Sequence, residues 1–148
     1  ERLLGKPLAP ILARSFEHPN GLRELTADAG AIVLLFQSNC PHCDATRSIW
    51  AELITSLPPS AGVLAITAES LETGQLWVDG LNSEKTRGYT VESPPWGIPA
   101  VPATLLVDSE GRVGWARIGR LTASDLEQLR EIYLPQNDEM PTSEEEKK

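Results

Sequence analysis

The sequence has few cysteines, few histidines and no long apolar run. Its 148 residues include two cysteines and two histidines. Two cysteines cannot form the multi-bridge framework of a small secreted domain, and a structural zinc site would lack Cys and His ligands. The longest apolar stretch, Ala31–Phe36, has the length of a strand, far below the roughly 18 residues of a membrane-spanning helix. The cysteines therefore form one redox pair, or bind a soft metal ion such as cuprous copper.

Positive charge is also scarce. Thirteen Lys and Arg stand against 21 Asp and Glu, a net charge of −8. Nucleic acid and anionic lipid require clustered cations, so neither is predicted as a partner. Residues 136–148 are acidic, nearly free of apolar side chains, and follow Pro135. We predict one domain over residues 1–135, because this length suffices for one hydrophobic core, and a flexible acidic tail over residues 136–148.

Apolar patterning predicts alternating strands and helices in the first half of the chain. Ala31–Phe36 is a continuous apolar run, typical of a strand covered on both faces. Apolar residues at helical spacing between Pro41 and Pro58 predict a helix, and Gly62–Thr67 predicts the next strand. Together they predict a parallel βαβ unit. A short helix is predicted earlier, over Gly21–Ala29.

The second half predicts an antiparallel hairpin and a last helix. Thr104–Val107 and Arg112–Ile118 are separated by the turn sequence Asp-Ser-Glu-Gly. Thr122 and Asp125 then have the spacing of a capping box. Residues 68–100 keep no single apolar period, which predicts one or two short helices and a loop. The predicted fold class is α/β, a central mixed β-sheet flanked by helices.

The cysteines lie where a thiol becomes reactive. Cys40-Pro41-His42-Cys43 follows the predicted central strand and begins the predicted helix. Backbone N–H groups at a helix N-terminus favour a thiolate, so Cys40 is the predicted nucleophile, and Cys43, one turn later, the predicted resolving thiol. Pro41 suits the first helical position, and His42 adds positive charge beside Cys40. This environment favours the dithiol form, which makes the disulfide a better oxidant.

A second feature is Val101-Pro102, directly before the strand Thr104–Val107. Proline cannot donate to a sheet ladder and belongs at a strand start. Backbone groups left unpaired there can bind an extended substrate. Val101 and Pro102 are therefore candidate substrate-binding residues, and a trans bond is the default for an ordinary X-Pro pair.

The residues Ala31–Cys43, followed after a long connection by Ile98–Thr104, resemble the thioredoxin superfamily. Residues 101–112, together with Gly5-Lys6-Pro7, most resemble its branch of TlpA- and ResA-like oxidoreductases. The resemblance implies a thioredoxin-like fold in which Pro102 is cis and packs against the redox pair. It also implies an exported or membrane-tethered protein that acts on thiols outside the bacterial cytoplasm.

Three positions depart from the family pattern. Asn39 replaces the usual tryptophan before the first cysteine, in the surface that meets substrate. Leu34 stands where thioredoxins carry a buried aspartate, and Thr46 where ResA-like reductases carry glutamate. Proton transfer at Cys43 therefore requires another group, with His42 and water as candidates.

The sequence predicts a thiol–disulfide oxidoreductase that acts as an oxidant, because Pro-His between the cysteines resembles the DsbA-type pair. Its predicted partners are extracytoplasmic protein thiols or disulfides and a redox partner protein, without a cofactor or resident metal. The alternatives are a reductase serving cytochrome c or copper-site maturation, and a module that binds copper or a partner. A peroxidase is disfavoured, since Gln37-Ser38-Asn39-Cys40 lacks the threonine of peroxiredoxin loops.

The sequence also predicts a periplasmic or other extracytoplasmic location, with a membrane tether as an alternative. The numbering begins at Glu1 and not at a methionine. Removal of a signal peptide or an N-terminal anchor upstream of Glu1 is compatible with that start.

Overall fold

A computed structural model describes residues 3–58, 61–81 and 84–132. Within these residues seven strands form one mixed sheet in the order β2-β1-β5-β4-β3-β6-β7. The strands are β1 Ile11–Ser15, β2 Arg23–Leu25, β3 Ile32–Leu35, β4 Val63–Thr67, β5 Thr86–Thr90, β6 Ala103–Val107 and β7 Val113–Ile118. The helices are α1 Pro41–Ser56, α2 Leu71–Asp79, a short 3-10 turn at Pro95–Gly97, and α3 at residues 123–132. The predicted tail at 136–148 and the predicted domain end at residue 135 lie outside the described residues.

Strand β3 lies between two strands and is buried along its whole length. It pairs in parallel with β4, Leu34 beside Ala65, and antiparallel with β6, Leu34 opposite Thr104. Both of its faces meet apolar side chains, which explains the continuous apolar run in the sequence. The predicted βαβ unit and the predicted hairpin β6–β7 are confirmed.

The two faces of the sheet are covered differently. One apolar cluster contains side chains from all three helices, among them Trp50, Trp77 and Leu129. The cluster on alternate residues of β3, Val33 and Leu35, instead includes Leu8, Val91 and Ile98 from connecting segments. The helix α3 begins with the predicted capping box. The backbone N–H of Asp125 donates to the Thr122 hydroxyl at 3.2 Å, and its carboxylate accepts from the backbone N–H of Thr122 at 3.0 Å.

The short helix predicted over Gly21–Ala29 is wrong. Arg23–Leu25 is instead a strand, with Ile11 of β1 opposite Leu25. Leu22 and Leu25 have the spacing of a helix face, but the segment is too short to form a stable helix by itself, and pairing with β1 determines its conformation.

Strand β5 was missed because its central residue has no side chain. Gly88 is buried against the Phe16 ring, and a Cβ at Gly88 would collide with the ring atoms Cδ2 and Cε2. The ring supplies the apolar surface that a strand residue would ordinarily supply, so the sequence of β5 shows no apolar alternation.

Gly88→Ala should therefore destabilise the protein by about 1–3 kcal/mol, because the added methyl overpacks the site. Urea unfolding followed by tryptophan fluorescence measures the change. Gly62→Ala is the matched control, since a Cβ there meets nothing within 4 Å, and should change the free energy of unfolding by less than about 1 kcal/mol. Equal effects of the two substitutions would contradict the explanation.

Candidate active site at the start of helix α1

Cys40 caps the N-terminus of α1. Its backbone is extended, with φ −134° and ψ 112°, and its Sγ accepts a hydrogen bond from the backbone N–H of Cys43 at 3.2 Å. Pro41 occupies the first helical turn, as predicted. Both cysteines are free thiols; Cys40 is half-buried, and Cys43 is fully buried. Of the two sulfurs, Cys40 is therefore the one that an incoming molecule reaches.

Two other segments of the chain lie beside this turn, Val101-Pro102 and the loop after β7. The Val101-Pro102 bond is cis, as the family resemblance implies, and Pro102 is buried. The Pro102 carbonyl accepts from the backbone N–H of Gly119 at 2.7 Å. One residue further on, Arg120 Nη2 lies 3.4 Å from His42 Nδ1. The loop that follows β7 thus connects Pro102 to the exposed side of the cysteine pair.

An apolar cavity of about 370 Å³ opens beside Cys40. Val101 lies in its wall together with Cys40, whereas Pro102 and Asn39 are not among the residues that line it; Asn39 is exposed. In the described part of the chain, the lining contains no charged side chain. The other lining residues are mostly apolar: Leu35, Phe36, Gln37, Ile66, Thr67, Ala68, Val91, Pro94, Pro95, Ile98, Pro99 and Ala100.

An aromatic cluster lies behind the pair. Trp77 stacks on Phe36 with ring centroids 4.3 Å apart and meets Trp50 edge-on at 5.7 Å. The Trp50 indole N–H donates to the Thr104 hydroxyl at 2.9 Å, and both residues are fully buried. This bond joins the middle of α1 to the strand that begins after Val101-Pro102, so the two parts of the site are held by one core contact.

No family model and no curated protein matches the sequence. Solved structures do match. A thio-disulfide isomerase from Thermus thermophilus aligns with TM-score 0.66 at 18% identity, over 87% of this chain and 95% of that one. The chain has the thioredoxin fold. A thiol–disulfide isomerase from Corynebacterium glutamicum also carries this fold, with TM-score 0.62 at 19% identity and coverage of 88% and 97%. A peroxiredoxin-like protein from Aquifex aeolicus gives 0.65 at 11% identity, with 86% of each chain covered.

The predicted thioredoxin-like fold and α/β class are thus confirmed. In this fold the Cys-x-x-Cys pair of the chain lies at the start of α1. In the described part of the chain, no group of three or more His, Cys, Asp or Glu could hold a metal ion. None of the described helices is long and apolar enough to cross a membrane.

The two positions that depart from the thioredoxin pattern near Cys43 have structural roles here. Leu34 is fully buried in the helix-covered cluster. Thr46 is also fully buried, and its hydroxyl accepts from the backbone N–H of Leu121 at 3.1 Å. Neither side chain offers a carboxylate to Cys43.

Sequence reasoning missed the loop at Gly119–Leu121, whose only signal was the glycine after β7.

The buried thiol of this thioredoxin fold holds its proton tightly. Burial, followed by the hydrogen bond with Cys40, raises the pKa of Cys43 from 9.0 to about 12. A hydrogen bond to the backbone of Gln37 acts in the opposite direction, and the charge of Asp44 adds to the rise. The Asp44 carboxylate is itself near the Trp77 indole N–H, at 3.4 Å. Cys43 is therefore a thiol at neutral pH in the reduced protein.

This shift predicts how the stability of the reduced protein depends on pH. Above pH 9 the unfolded chain releases the Cys43 proton, whereas the folded chain keeps it until about pH 12. The contribution of the Cys43 thiol to the free energy of unfolding is complete below pH 9. It falls as pH rises above 9, by up to about 1.4 kcal/mol per pH unit. Urea unfolding under reducing conditions, from about pH 8 to about pH 10.5, should show a steeper decline for wild type than for Cys43→Ala. Parallel declines would contradict the assignment.

Proposed function

We propose that this chain is a thiol–disulfide oxidoreductase in which Cys40 exchanges with substrate and Cys43 resolves. The observation that carries the proposal is the position of Cys40 as the N-cap of α1. Its half-buried Sγ accepts a hydrogen bond from the backbone N–H of Cys43, whereas the Cys43 side chain is fully buried in the core. Donation from that N–H stabilises a thiolate at Cys40. Exchange with an external thiol or disulfide then takes place at Cys40. Cys43 attacks the Cys40 sulfur of a mixed disulfide when the pair reduces a substrate, and Cys43 is the leaving group when the pair oxidises one.

The proposed oxidation proceeds in two exchanges. A substrate thiolate attacks Sγ of Cys40 in the Cys40–Cys43 disulfide, which forms a mixed disulfide and releases Cys43, and Cys43 takes up a proton. A second substrate thiolate then attacks the substrate sulfur of the mixed disulfide and releases Cys40 as a thiolate. The substrate loses two electrons, the pair gains them, and a redox partner protein must oxidise the pair again.

The substrate is proposed to be a protein segment that lies along Val101 and Pro102. The cavity beside Cys40 is apolar, and among the described residues that line it none carries a charge for a small anionic thiol such as glutathione. An extended chain with an apolar residue next to its cysteine matches that lining. Asn39 is exposed next to Cys40, and we propose that it contacts the substrate at the edge of the same surface.

The direction of flow is proposed to be oxidation of substrate. The N–H donor on Cys40 and the guanidinium of Arg120, which lies beside His42, favour negative charge at the exposed sulfur. Pro41-His42 between the cysteines also resembles the oxidising DsbA-type pair. A stable dithiol makes the disulfide an oxidant. Such a disulfide persists only where thiols are not kept reduced, so an extracytoplasmic compartment such as the periplasm is the proposed location.

Single cysteine variants test the division of labour. Cys40→Ser should abolish both insulin reduction and oxidation of a dithiol peptide, because the exchanging sulfur is gone. Cys43→Ser should instead accumulate a mixed disulfide with substrate, detectable by intact mass, because resolution is lost. Full activity of Cys40→Ser, or trapping at Cys43 in Cys40→Ser, would overturn the assignment.

The reduction potential of the pair tests the direction. Equilibration with glutathione buffers should give a value nearer to that of DsbA, about −120 mV, than to that of thioredoxin, about −270 mV. A value near −270 mV would reverse the proposal and favour the reductase that serves cytochrome c or copper-site maturation.

Titration of the reduced protein with cuprous ion tests the copper-binding alternative, which requires stoichiometric binding at the two thiols.

A further inference from the structure

The loop that precedes Cys40 is held by a carboxylate from another part of the chain. Glu69 Oε1 accepts from the backbone N–H of Ser38 at 2.9 Å, and Oε2 accepts from the Ser38 hydroxyl at 3.0 Å. Both bonds have a charged acceptor and are partly buried, which places them among the stronger hydrogen bonds in a protein. Ser38 is two residues before the cap residue.

Glu69 is in turn fixed by its own backbone. Its N–H donates to the hydroxyl of Thr67 at 3.2 Å, and its carbonyl accepts from the hydroxyl of Thr90. Thr67 is the last residue of β4, and Thr90 is the last residue of β5. The backbone of Glu69 is therefore held at the ends of two neighbouring strands, and its carboxylate binds the loop before Cys40.

The geometry of Cys40 is sensitive to this loop. Cys40 must keep its extended backbone for Sγ to meet the Cys43 N–H. Asn39 between Ser38 and Cys40 is exposed, so burial of its side chain does not fix the segment. The two bonds from Ser38 to Glu69 supply that restraint.

We propose that Glu69 is a positioning residue that acts through Ser38 to hold Cys40 in its capping geometry, and so maintains the reactivity of that thiol. The proposal rests on the proposed function only in that Cys40 is the sulfur that exchanges with substrate. A positioning role and a purely electrostatic role of Glu69 predict opposite changes in the reaction rate of Cys40 when Glu69 is replaced by alanine. Removal of a nearby negative charge favours a thiolate and speeds the reaction of Cys40, whereas release of the loop slows it.

The experiment measures the rate at which iodoacetamide alkylates Cys40 in the reduced protein, as a function of pH. Glu69→Ala should lower the rate at neutral pH about tenfold and move the profile to higher pH, because the loop is released. Glu69→Gln should restore a rate within about twofold of wild type, since an amide can accept from the Ser38 N–H and donate to its hydroxyl. Ser38→Ala, which removes one of the two bonds, should fall between them.

Glu52→Ala is the control, since Glu52 is an exposed acidic residue on α1 and its loss should leave the profile unchanged. Urea unfolding of each variant separates positioning from folding. Loss of stability in Glu69→Ala with an unchanged alkylation profile would overturn the proposal, as would equal acceleration in Glu69→Ala and Glu69→Gln.

The two proposals fail in different ways. If wild-type Cys40 reacts no faster than an ordinary thiol, the proposed function loses its support. If wild-type Cys40 reacts fast and Glu69→Ala reacts equally fast, only the role of Glu69 is wrong.

Discussion

The arrangement of the site depends on the burial of strand β3. Because both of its faces are covered and both of its edges are paired, β3 has no freedom to shift in register, and any one-residue slip would move its side chains to the opposite cluster. The chain leaves β3 at a fixed point and reaches Cys40 within five residues of Leu35. The sheet thereby fixes where the loop to Cys40 begins, and the bonds from Ser38 to Glu69 hold the loop itself.

A second constraint joins the parts that the chain separates. The contact between the Trp50 indole and the Thr104 hydroxyl links α1 to β6, and the contact between Thr46 and Leu121 links α1 to the loop after β7. Each buries a polar group with its partner, so each is costly to break. Residues that are 54 and 75 positions apart in sequence are thus fixed around one helical turn.

Much of this could be predicted from the residues alone. The apolar run of β3, the spacing of the cysteines and the proline before β6 each follow from a local rule. The wall of the cavity could not be predicted, because Pro94 and Ile98 lie in a connection without periodicity and come to line the same cavity as Cys40 only in the folded chain. The role of Thr46 was also hidden, since a threonine on a helix gives no sign that its hydroxyl serves a distant backbone N–H. Glu69 was missed for the same reason: its partner lies 31 residues away.

The unequal exposure of the two sulfurs has a consequence for the oxidation of the site by peroxide. A peroxide that enters the site meets Cys40 first, and its attack yields a sulfenic acid there. The Cys43 thiol, one helical turn away, can condense with that sulfenic acid to give the disulfide and one water molecule. The product is then the same disulfide that the proposed exchange reaction uses. A buried partner in reach protects the exposed sulfur from oxidation to irreversible states.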